Sequence, residues 1–144
     1  MPILQGALLC DAAHEYSGLV SILGGFVSAT LVGAFPAHAS IYFAGRVAFA
    51  EDELDRPHTI VVTAENEDGL ILGEVRAAMP AGAARVVPAG AVPIPEIASG
   101  ANLCFPFPFP LTRPGMYWVV LRVDGDDLVR LPLKVMLADP ASGQ

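Results

Sequence analysis

Lysine is almost missing from this chain: Lys134 stands alone beside seven arginines, against fifteen acidic residues. The resulting net charge of −7 argues against nucleic acid and anionic membrane surfaces as partners. No stretch reaches the roughly 18 uninterrupted apolar residues that a membrane-spanning helix needs. Cysteine occurs only at Cys10 and Cys104, both in apolar strand contexts, which in a reducing compartment reads as buried, inert thiol. His14, His38 and His58 match no zinc spacing, and Ser17, Ser21 and Ser28 lack a nucleophile elbow. No glycine loop precedes a helix, and no segment carries convincing helical periodicity. Together these absences remove the common acid–base, nucleophilic and phosphate-binding constellations, so the chain leans away from being an enzyme.

What remains is apolar and alternating. The chain is 53% apolar, and the clearest run is Gly115 to Leu137. Tyr117, Val119, Leu121 and Val123 alternate with Trp118, Val120, Arg122 and Asp124; Val129, Leu131, Leu133, Val135 and Leu137 alternate with Arg130, Pro132, Lys134 and Met136. Period two over this length predicts two strands with the odd positions facing a core. Directly opposed residues of an antiparallel pair share a face, so odd must meet odd. A two-residue turn at Gly125-Asp126 breaks that rule; the loop is expected to hold three or five residues, or to carry a bulge, with Gly125 at positive φ. Pro132 lacks an N–H and predicts a sheet edge there. The Arg113-Pro114-Gly115 turn before Tyr117 looks like a tyrosine corner, in which the phenol bonds back to upstream backbone.

The rest of the chain reads as strands and turns. A first strand is expected over 3–10, a polar turn with His14 and Glu15 over 11–18, and a second strand over 19–30 bent at Gly24-Gly25. Further strands are expected at 41–49, 59–64 and 70–77, separated by acidic loops at 51–55 and 65–69. Residues 79–99 form an irregular, apolar Ala/Pro/Gly-rich connection, with room for a short strand around Arg85-Val86-Val87. In Leu103 to Leu111, Phe105, Phe107 and Phe109 alternate with Pro106, Pro108 and Pro110. The prolines then blank one edge of an extended strand while the Phe N–H groups pair on the other, which protects against edge-to-edge aggregation.

The order of Leu8-Leu9-Cys10-Asp11, Gly18 to Gly24, Phe35-Pro36, Pro114-Gly115-x-Tyr117 and Val123-Asp124-Gly125 resembles an uncharacterised bacterial family of small β-sandwich proteins, a domain of unknown function. The resemblance implies a fold and a bacterial source, and it brings no catalytic residues. The dominance of Arg over Lys and the abundance of Ala fit a GC-rich bacterial genome.

The expectation is therefore a single all-β domain over 1–144: an antiparallel, immunoglobulin-like β-sandwich of seven to nine strands. The start of the chain has no basic n-region, so a cytoplasmic protein without a signal peptide is expected. The leading function is a non-catalytic protein interaction module, a homo-oligomer and most simply a homodimer. Its expected interface is the even face of the last hairpin, with Trp118, Val120, Leu128 and Met136, a mixture of aromatic, Met and Arg residues typical of protein contacts. The alternative is a Ca²⁺-assisted ligand-binding domain. Ten of the fifteen acids lie in three loops, and a strand count places the loops at 12–18, 51–57 and 124–127 at one end. Asp52, Asp55, Asp124, Asp126 and Asp127 are the candidate oxygen ligands. A third reading is an enzyme whose site forms between subunits.

Overall fold

The computed structural model describes residues 1–82 and 99–142, and among them eleven strands. They are β1 (Ile3–Tyr16), β2 (Leu19–Gly25), β3 (Ala29–Val32), β4 (Ala37–His38), β5 (Tyr42–Phe49), β6 (His58–Glu65), β7 (Ile71–Met79), β8 (Ser99–Pro106), β9 (Pro110–Leu111), β10 (Gly115–Val123) and β11 (Asp126–Leu137). The first sheet has the order β2-β1-β5-β8 and the second β3-β11-β10-β6-β7; β4 and β9 form a separate pair. One core lies between the two large sheets. Leu9, Phe43 and Val47 enter it from the first, and Ile60, Val62, Tyr117, Val119, Leu121 and Leu133 from the second. The all-β sandwich expected from the alternation is the observed architecture. Two of the strands are only two residues long, β4 and β9, which accounts for a count above nine.

The last hairpin follows its pattern closely. Val119 pairs with Leu131 and Leu121 with Val129, odd against odd, while Val123 pairs with Asp126. A register shift after Leu121 reconciles the two. The turn is Asp124-Gly125, both at positive φ (52° and 87°), and Leu128 is the extra residue of a bulge. Of the three expected solutions the molecule uses the bulge, because a two-residue turn with two positive φ values matches strand twist better than a wider loop. Among the described residues β11 has no outer partner at Pro132, since β3 pairs only from Lys134 to Leu137. The Tyr117 hydroxyl donates to the Arg113 carbonyl at 2.8 Å, as expected of a tyrosine corner.

The Phe-Pro segment also behaves as anticipated along its paired side. Phe43 lies opposite Phe105, the Phe107 N–H donates to the Ile41 carbonyl at 2.8 Å, and the Ala39 N–H donates to Phe109 at 3.0 Å. Phe107 and Phe109 are buried while Pro106 and Pro108 are exposed. The strand is interrupted between Pro106 and Pro110 rather than continuous. Residues 83–98, which include the strand expected around Arg85-Val86-Val87, lie outside the described residues.

Two expectations near the start of the chain are corrected. The polar turn over 11–18 is instead strand: β1 runs to Tyr16, and the turn is only Ser17-Gly18, at φ 46° and 76°. Cross-strand pairing of Cys10–Tyr16 with Leu19–Gly25 outweighs the local polarity of Asp11, His14 and Glu15, whose side chains are simply exposed. The expected bend at Gly24-Gly25 is a full break, after which the chain leaves the first sheet and enters the second as β3, parallel to β11.

Candidate functional site

The even face of the last hairpin was the expected contact surface, and most of it is occupied from within. Arg122 donates to Glu65 at 2.9 Å, to Asp127 at 2.6 Å and to Thr63 at 2.8 Å. Burial alone pulls the Arg122 guanidinium down, but its bonds to Glu65 and Asp127 outweigh that and raise it above the ordinary value. Arg130 stacks over Trp118 with its Cζ 5.2 Å from the ring centroid, a cation–π contact. Val120 lies under this layer at 0% exposure, which removes it from the expected interface. Leu128 also leaves that face, because the bulge turns it toward the core, where it packs as a half-buried side chain. Trp118 and Met136 remain half-buried.

The acidic turns do meet at one end, around a histidine. His58 opens β6 and is buried; its Nδ1 lies 2.6 Å from Asp124 Oδ2 and its Nε2 2.7 Å from the Glu53 carbonyl oxygen. The ring is thereby held at both nitrogens, between a carboxylate and a backbone carbonyl. Asp124 also accepts from the Thr59 N–H at 2.9 Å. Burial pushes the Asp124 carboxyl up, but the Thr59 N–H and His58 outweigh it and hold the group below the usual carboxylate range. Glu53 behaves alike: burial raises it, while the Met1 ammonium, the Ala50 N–H and His58 bring it below its ordinary value. Both ring nitrogens are engaged within the fold. The arrangement is a staple between the 3-10 turn at Glu51–Asp55 and the Asp124-Gly125 turn.

The expected cation ligands do not gather here. Asp124 is engaged by His58 and Asp127 by Arg122, while Asp52, Asp55 and Asp126 are exposed. Among the described residues no three His, Cys, Asp or Glu side chains come together as a metal ion requires. The 12–18 segment was expected beside the other two turns and is elsewhere. The Gly18 carbonyl accepts from Asn102 Nδ2 at 2.9 Å, so the β1–β2 hairpin folds back over the outer face of the first sheet. The strand count misplaced it because the chain changes sheets after β2.

This folded arm is the least self-sufficient part of the molecule. Beneath it lies Cys10, on the outer face of the first sheet and yet at 0% exposure. Burial raises the Cys10 thiol, assisted by Cys104 and Asp11, and it raises Cys104 too, assisted by Glu15. The two thiols share that face but sit on β1 and β8 with β5 between them. Two strand spacings, about 10 Å, exceed what a disulfide spans. The outside of the arm is apolar: Leu19 is 60% exposed, Leu23 71% and Phe26 82%. Phe26 also adopts φ 62°, a conformation that bulky side chains avoid. Exposure and strain therefore coincide at one aromatic residue.

Between arm and sheet runs a cleft of about 440 Å³, with Leu8, Leu19, Val20, Ile22 and Ala44 on its walls and Gln5, Arg46 and Asn102 at its polar end. Sequence reasoning missed Phe26, Arg46 and the His58–Asp124 pair. Arg46 was legible as the one charge inside an apolar strand, and Phe26 as the residue after a Gly-Gly break. The histidine pair joins residues 66 apart in the chain and left no local signal.

A family model described as a family of unknown function (DUF6941) matches residues 5–136, and the chain belongs to that family. No curated protein matches it. Among the described residues no helix is long and apolar enough to cross a membrane.

Proposed function

With membership of that family as the premise, we propose that this chain is a non-catalytic interaction module, a cytoplasmic bacterial homodimer built on an immunoglobulin-like sandwich. The copies meet along the edge of β2 that no described strand pairs. The observation that carries this reading is the contrast between β2 and the edges β8 and β7; the remaining edge, β3, is only four residues long, and so short an edge pairs poorly. β8 ends at the exposed Pro106, and the exposed Pro108 follows it. β7 carries an ion pair between Glu74 and Arg76 at 3.1 Å. Prolines and charges of this kind keep an edge from pairing with another chain. β2, Leu19-Val20-Ser21-Ile22-Leu23-Gly24-Gly25, has neither, and no charged residue occurs from Gly18 to Ala37.

The partner is a second copy. Each chain carries −7, which keeps copies apart except where a surface bears no charge. The β2 edge is such a surface, and antiparallel pairing of identical strands closes on itself with two-fold symmetry. Tyr16 and Leu19 close the two-residue turn as a hydrogen-bonded pair, so the N–H groups of Val20 and Ile22 point away from β1. Phe26 stands beside this edge as an aromatic anchor. The Tyr117–Arg113 bond supports the immunoglobulin-like reading.

Light scattering on a sizing column tests the dimer. Wild type is expected at twice the chain mass. Ile22→Pro deletes an outward donor without touching the β1 ladder, and Leu23→Lys charges the edge; both are expected to give monomers. Trp118→Ala is expected to remain dimeric. A wild type that is monomeric at about 100 μM overturns the proposal. Dissociation by Trp118→Ala but not by Leu23→Lys moves the contact to the last hairpin.

A further inference from the structure

We propose that the cleft beneath the arm binds a small amphipathic carboxylate, an acyl chain whose carboxylate pairs with Arg46 while its tail lies along Leu8, Leu19, Val20, Ile22 and Ala44. The polar end of the cleft is built, and each component has a local cause. A register shift between Leu4 and Gly6 makes Gln5 a bulge, which re-aims its side chain. Its Oε1 accepts from Arg46 Nε at 2.7 Å. Asn102, directly opposite Arg46 across the β5–β8 ladder, accepts from Nη1 at 2.6 Å. Gly100 completes the seat: a Cβ there would come within 2.6 Å of Arg46 Cζ, so only a bare backbone lets the guanidinium lie against β8.

Two neutral side chains orient Arg46, and no carboxylate among the described residues pairs with it. Of the other described arginines, Arg76, Arg113, Arg122 and Arg130 pair with acids, while Arg56 only lies near Asp124. Arg46 retains Nη2 and one Nη1 hydrogen as donors, the fork that a carboxylate accepts. A phosphate dianion is a poorer match, because among the described residues Arg46 is the only cationic side chain at the cleft. Asn102 also spends its Nδ2 on Gly18, holding the tip of the arm over the cleft at 2.9 Å. The volume of about 440 Å³ falls in the usual range for small-molecule sites, and apolar walls with a few convergent polar groups are their usual lining.

Isothermal titration with decanoate, decanol and decylammonium, below their micellar concentrations, tests the site on the full chain. Decanoate is expected to bind one per chain, about tenfold or more tighter than decanol, and decylammonium weakest. Arg46→Gln is expected to erase the advantage of decanoate over decanol while leaving decanol binding in place. Arg46→Lys, which keeps the charge but lacks the fork, is expected to retain only part of it. Because decanol reports the apolar walls separately, a variant that fails to fold loses both ligands and is recognised. Binding of decanoate and decanol with equal affinity to wild type, or an unchanged decanoate affinity in Arg46→Gln, overturns the proposal. So does the absence of decanoate binding at about 1 mM.

Discussion

Two hairpins of this protein share one local design and differ in almost everything else. β1–β2 and β10–β11 both close with a two-residue turn whose central residues have positive φ: Ser17-Gly18 in one, Asp124-Gly125 in the other. In β10–β11 the odd side chains fill the core and the even face is covered by Arg122, Arg130 and their partners. In β1–β2 the arm carries Leu19, Leu23 and, just beyond it, Phe26 into solvent. A turn therefore sets register and direction, but it does not set what a hairpin packs against. That depends on whether the second face carries charges able to bond across strands. The last hairpin has them and is complete in one chain; the arm lacks them and leaves apolar surface for something else to cover.

Truncating an equivalent leucine in each hairpin gives the largest contrast. Leu121→Ala opens a cavity in the closed core and is expected to cost about 3 kcal/mol. Leu23→Ala is expected to change monomer stability by less than about 0.5 kcal/mol. Chemical denaturation in dilute protein measures both. Similar losses at the two sites would mean that the arm is a core element and the contrast false.

The staple under the Asp124 turn comes next. Asp124→Ala leaves a buried imidazole N–H and the Thr59 N–H without their acceptor, at an expected cost of about 2 kcal/mol near neutral pH. The carboxyl is held below its ordinary range in the folded state, so its contribution is present above the unfolded value and is lost as pH falls through the folded one. The gap between wild type and Asp124→Ala should therefore narrow as pH drops below about 4. A gap that stays constant into acid would show that the carboxylate charge plays no part. The Ser17-Gly18 turn is held by the neutral Asn102 side chain, and no such acid dependence is expected from it.

The smallest effect is the most discriminating. Phe26→Gly removes a bulky residue from positive φ and is expected to stabilise the isolated chain by about 1 kcal/mol. The same change is expected to weaken self-association, because it removes the exposed aromatic ring. A rise in melting temperature together with a rise in the dimer dissociation constant would separate a functional strain from a structural one. A rise in melting temperature with an unchanged dissociation constant would tie Phe26 to folding alone.

Period-two alternation from Tyr117 to Val135, the positive-φ glycine at Gly125, the Tyr117 corner and the pairing side of the Phe-Pro segment are all written in residues close together in the chain. Short-range stereochemistry and side-chain alternation are enough to determine them, which is why the all-β sandwich and its core face were readable. The remainder depended on which strands became neighbours. Whether the arm lay flat or folded back over Asn102, whether Asp124 met a cation or His58, and whether Trp118 faced a partner or Arg130 were decided by contacts between residues far apart in the chain. Such contacts are selected by the total surface that the two sheets bury together. Local pattern carries no record of that choice, so the cleft at Arg46 appeared only once the tertiary structure had placed Gln5, Asn102 and Gly18 around it.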